Sequence, residues 1–158
     1  MQAHNRSVLV FALLATALLG ASLMAAHQAH AGKSAVFTGI IKGVAVGGYD
    51  PVAYFTKGQA IKGSKKITTK KDGVVWRFSS EENRAAFAAS PEKYAPQYGG
   101  YCAWAVSQGY TAKGDPKAWK IVGGKLYLNY NRKVQRTWAK NASRNIAKAD
   151  ANWPKVLN

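Results

Sequence analysis

The sequence predicts a small α+β domain of short antiparallel hairpins with helices packed on them. Three observations lead there. Strand-like runs flank Asp72-Gly73, and another pair flanks Gly123-Gly124; both dipeptides are two-residue hairpin signals. Ser80, Asn131 and Ser143 each stand where a capping side chain precedes a helical pattern. Once a 31-residue leader is set aside, the chain has the length of one ordinary domain.

The elements follow in order. Two apolar runs between Val36 and Val46, broken by Lys42-Gly43, predict a first hairpin. Gly47-Gly48 and Asp50-Pro51 mark a turn, because Pro51 pushes Asp50 out of the helical region. Lys57 to Lys66 reads as a basic loop, and Ile67 to Lys70 and Val74 to Phe78 as paired strands. Ser80 caps a helix to about Ala89, with Glu81 and Glu82 suiting its N-terminal dipole and Phe87 facing the core. Ser90-Pro91-Glu92 opens another helical turn. Trp119 to Val122 and Leu126 to Tyr130 form the next hairpin. Asn131 caps a helix carrying Val134 and Trp138 inward, ringed by Arg132, Lys133, Arg136 and Lys140. Ser143 caps a last helix with Ile146, Ala149 and Trp153 on one stripe, stopped by Pro154. No internal repeat and no linker is visible.

Residues 1–31 have the pattern of a secretory signal peptide: Arg6, an apolar run from Val8 to Leu23, and an Ala29-His30-Ala31 cleavage site. The expected location is the periplasm, with a mature domain over 32–158. All three histidines (His4, His27, His30) lie in the leader, which removes histidine-based catalysis and His-rich metal sites from the mature chain. The mature chain carries 22 basic residues against 7 acidic ones, a net of +15. That balance predicts attraction to an anionic membrane surface or an acidic envelope partner; export makes nucleic acid a poor candidate. Lys65, Lys66, Lys70 and Lys71 read most simply as a solvated strand edge.

The single cysteine, Cys102, lies in "YGGYCAWAVSQGY" and has no internal disulfide partner. Three readings stay open: a small hydrophobe in a core strand "CAWAV", a thiol that binds a ligand or soft metal, or a redox thiol with lowered pKa. Gly99 and Gly100 would let backbone approach a ligand. Tyr98, Tyr101, Trp104 and Tyr110 are candidate pocket walls, with Asp50 and Tyr54 as further lining. Asp50 has a simpler role as a turn-forming carboxylate before Pro51, as does Asp115 before Pro116.

"YDPVAYF" followed by "GVVWRFSSEENRAAFAASPEKYAPQYGGYCAWAV" resembles the YHS domain, and the closing "NIAKADANWPKVL" extends the likeness to an exported subfamily. Asp50, Pro51 and Val52 match the start of the motif; Phe78, Ser80, Phe87, Pro91 and Tyr94 match its second part. The resemblance implies a treble-clef-like core. It places the three cysteines of metal-binding members on Ala53, Ser79 and Asn83, none of which supplies a thiolate. A tetrahedral zinc site needs four strong ligands, so no structural zinc is expected. Some members of the subfamily are selenoproteins, and the resemblance places that residue at Cys102, implying thiol or selenol chemistry.

The leading expectation is a periplasmic protein binding a small ligand or a soft metal such as Cu(I) in a pocket around Cys102. The alternatives are a thiol redox enzyme using Cys102 with an external resolving thiol, or a basic envelope module with no chemistry.

Overall fold

The computed structural model describes residues 32–158; the predicted leader lies outside them. The domain is α+β, with two separate two-stranded antiparallel sheets and six helices. A 3-10 turn (Ala45–Gly48) leads into α1 (Ala53–Thr56), then β1 (Ser64–Lys71), β2 (Val74–Phe78), α2 (Glu81–Ala89) and α3 (Pro91–Tyr94). A second 3-10 turn (Gln97–Gly100) leads into α4 (Ala103–Ser107), β3 (Asp115–Val122), β4 (Lys125–Asn129), α5 (Arg132–Ala139) and α6 (Ala142–Asn152). Among the described residues no helix is long and apolar enough to cross a membrane.

This order contains an internal repeat, which corrects the sequence reading. Residues 46–56 correspond to 98–108, and 61–87 to 112–138, with a connecting loop one residue shorter in the second unit. Backbone detail repeats as well. Val46, Gly47 and Gly48 have φ of 51°, 58° and 79°; Tyr98, Gly99 and Gly100 have 55°, 60° and 84°. A β-branched or bulky residue at positive φ is an outlier, so the recurrence of that φ at Val46 and Tyr98 marks a preserved backbone path. In both units the main-chain N–H just after this path donates across the loop: Asp50 to Ile61 and Cys102 to Ala112. Both hairpins turn on two positive-φ residues, Asp72-Gly73 and Gly123-Gly124, as a type I′ loop requires. Both carry a bulge at the same point, between Ser64 and Thr68 and between Asp115 and Trp119. Ser80 accepts a hydrogen bond from the Asn83 N–H, and Asn131 from that of Val134, so α2 and α5 start alike.

The units pack through β4. Leu126 and Leu128 enter a core with Val52, Tyr54, Trp76, Phe78 and Phe87. Tyr127 points the other way, into a core with Tyr98, Tyr101, Val106, Trp138 and Ala149. Alternating side chains on one strand thus serve opposite faces.

Several expectations shift. The hairpin predicted between Val36 and Val46 is reduced to one Ile41–Val44 bridge around Lys42-Gly43. "CAWAV" is helical over Ala103–Ser107 rather than a strand, with Val106 and Ala103 packed inward. Asn141, not Ser143, is the N-cap residue of α6. The close approach that Gly99 permits is made by the chain itself: a Cβ there would collide with the Ala35 carbonyl, and the Gly99 carbonyl accepts from the Phe37 N–H at 2.9 Å.

Candidate functional site

Asp50 and Cys102 occupy equivalent positions in the two units, and the contrast between them defines the site. Asp50 is fully buried. Its Oδ1 accepts from the N–H groups of Val52 (2.9 Å) and Ala53 (3.3 Å). Its Oδ2 accepts from the Ser79 N–H (2.8 Å), the Ser79 hydroxyl (2.6 Å) and the Asn83 amide (2.7 Å). No cation pairs with this carboxylate among the described residues. Directed donors, not a counter-ion, hold its charge in the interior.

Cys102 sits in the same backbone frame with different neighbours. Its Sγ accepts from the Tyr130 N–H at 3.2 Å, as Asp50 accepts from Ser79, and lies 3.9 Å from Asn129 Oδ1. The Trp104 N–H, counterpart of Val52, donates to Asn129 Oδ1 at 3.2 Å. Nδ2 of Asn129 is buried without a partner. The side-chain donors have gone: Tyr130 stands for Ser79 and Val134 for Asn83. A cavity of about 340 Å³ remains, lined by Cys102, Trp104, Ala105, Tyr110, Ala112, Tyr130 and Val134. Tyr110 and Tyr130 are exposed at it. Burial pushes the Cys102 thiol up from its ordinary pKa; the N–H groups of Ala105, Tyr130 and Trp104 oppose the shift without cancelling it. The thiol is therefore protonated at neutral pH.

Of the residues singled out from the sequence, Cys102, Trp104 and Tyr110 meet in this cavity. The others do not. Asp50 is committed to its own hydrogen bonds. Tyr54 is buried and donates to the Pro116 carbonyl at 2.9 Å. Tyr98 donates to Asp150 at 2.8 Å, and Tyr101 to the Ser34 carbonyl at 2.8 Å, so both hydroxyls bind distant parts of the chain together. Sequence reasoning missed Ala105, Ala112, Tyr130 and Val134. Aligning the two Gly-Gly-Tyr segments would have found Tyr130 and Val134, as counterparts of Ser79 and Asn83.

A larger cavity, about 510 Å³, lies elsewhere, between Gly58-Gln59-Ala60 and Lys117, Trp119 and Arg132. It holds no thiol, and its walls are mostly polar. Size alone does not outweigh the convergence of an apolar wall, exposed aromatic rings and a buried thiol at Cys102. Among the described residues, no three His, Cys, Asp or Glu side chains come together as a metal-binding group. No family model, characterised protein or solved structure matches the chain.

Proposed function

We propose that this protein is a periplasmic binder of a small, largely apolar molecule, held in the Cys102 cavity of a YHS-like, treble-clef-like scaffold without a metal. One observation carries the reading. At equivalent positions, the first unit closes over buried Asp50 with hydrogen bonds from Ser79 and Asn83, while the second leaves a cavity between Cys102, Tyr130 and Val134. A purely structural role for Cys102 gives no reason to keep that space open, since tight packing adds stability.

The YHS likeness draws support from the same cluster. The three positions that the resemblance assigns to thiolates, Ala53, Ser79 and Asn83, all donate to Asp50, so they converge on one point. A carboxylate stands there in place of a metal. At Cys102, a soft ion such as Cu(I) would find one sulfur and no second strong donor, so the small-ligand reading is preferred to the metal one. A protonated thiol likewise suits contact with a ligand better than nucleophilic redox chemistry.

Titration of the mature protein with indole, followed by thermal unfolding, tests the proposal. Indole should raise the midpoint, and Val134→Phe, which fills the cavity, should abolish the shift while leaving the protein folded. A Val134→Phe protein that still responds to indole like the wild type would overturn it.

A further inference from the structure

A second cleft, also about 340 Å³, adjoins the Cys102 cavity, and Trp104 is a wall of both. Its other lining includes Gln108 just after α4, Lys140 just after α5, and Arg144, Asn145 and Lys148 of α6. Arg144 and Lys148 are one helical turn apart, so they project from the same face, and Lys140 reaches in from the preceding helix. No acidic side chain lines the cleft, and none of the three cations is in an ion pair among the described residues. Three like charges placed together repel unless an anion sits among them. The apolar Cys102 cavity shares the Trp104 wall with this cleft.

We propose that the ligand is a small amphiphilic monoanion: an apolar body in the Cys102 cavity and a carboxylate or similar head on Lys140, Arg144 and Lys148. The inference rests on the cavity reading and adds the ligand's charge and its orientation. Trp104 is the boundary between the two halves, with its ring against the apolar body. Arg144 can take a carboxylate bidentately, while Lys140 and Lys148 act as point charges.

Decanoate, decan-1-ol and acetate separate the two claims when titrated into the full mature protein, below micellar concentration, with tryptophan fluorescence as the readout. Decanoate should bind about tenfold more tightly than decan-1-ol, the margin of a charge-assisted hydrogen bond. Acetate, which has the head without the body, should not bind measurably. In Arg144→Gln/Lys148→Gln, both exposed positions, decanoate should fall to the affinity of decan-1-ol, and decan-1-ol should be unchanged. Lys65→Gln/Lys66→Gln, on β1 and outside both cavities, should leave decanoate binding intact. Equal binding of acid and alcohol by the wild type overturns the inference while the cavity reading stands. So does an equal loss in the β1 variant, which would mean diffuse attraction to a basic surface. Failure of decanoate, decan-1-ol and indole alike overturns both.

Discussion

Replacing Asp50 with alanine removes the acceptor of five hydrogen bonds at once. Hydrogen bonds to a charged group contribute about 1.5–3 kcal/mol each, but they are not additive here. Ser79 is exposed and Asn83 half-buried, so their side chains can turn to water. The N–H groups of Val52 and Ala53 are buried in α1 and its start, and they would lose their acceptor; each orphaned donor costs about 1–3 kcal/mol. The expected loss is about 3–5 kcal/mol, a large part of the roughly 5–15 kcal/mol that holds a domain together. For a chain of this length that lowers the thermal midpoint by about 10–20 °C. Asp50→Asn should fall between, because its amide N–H₂ would confront the donors of Ser79 and Asn83. The comparison that decides the matter is Cys102→Ala at the equivalent position, which gives up the Tyr130 N–H···S bond, weaker N–H contacts and the packing of one buried sulfur, and should cost about 1–2 kcal/mol. Urea unfolding followed by tryptophan fluorescence measures all three. Equal losses at the two positions, or less than about 1 kcal/mol for Asp50→Ala, would refute the contrast on which the site is built.

Alkylation of Cys102 in the folded protein should be slow at neutral pH and rise only above the ordinary thiol value of about 8.5; a rate plateau below pH 7.5 would contradict the buried, protonated thiol. Burial also raises the hydroxyls of Tyr54, Tyr98, Tyr101 and Tyr127, and Tyr98 is raised further by Asp150. Because each folded value exceeds the unfolded one, their stabilisation is complete below about pH 10 and lost as pH rises beyond it. Circular dichroism along a base titration should show that decline, and a flat profile to pH 12 would count against it. The mature protein should keep its fold in a strong chelator and contain no stoichiometric zinc by mass spectrometry; unfolding on chelation would sink the metal-free scaffold. Exposed Arg132, Lys133, Arg136 and Lys140 should bind anionic vesicles weakly, at about 1 kcal/mol each, and sedimentation that survives high salt would point to another mechanism.

Local signals in the sequence carried most of the elements. Asp72-Gly73 and Gly123-Gly124 fix their turns through backbone sterics alone, and Ser80 and Asn131 cap through one short side chain, so neighbouring residues suffice to read them. "CAWAV" misled because alanine, tryptophan and valine are compatible with either state over so short a run; packing decided for helix. The repeat escaped because shape persists where identity does not. Phe87 and Trp138 fill matching fully buried positions, and Trp76 and Tyr127 matching strand positions, while only eight aligned residues are identical, four of them glycines. The Cys102 cavity was legible only in part for the same reason. Trp104 and Tyr110 are close to Cys102 along the chain, whereas Tyr130 and Val134 arrive through the β3–β4 hairpin and the start of α5.

The position of β4 has a consequence for how such a chain can be divided. Because Leu126 and Leu128 belong to the first core and Tyr127 to the second, the boundary between the repeats in sequence is not a boundary in space. A fragment cut after α3 would expose Phe78, Phe87 and Trp76 where the two leucines had covered them. The repeated fold is thus not two beads on a string. Its halves are joint owners of one strand, and neither can drift, unfold or be discarded without the other.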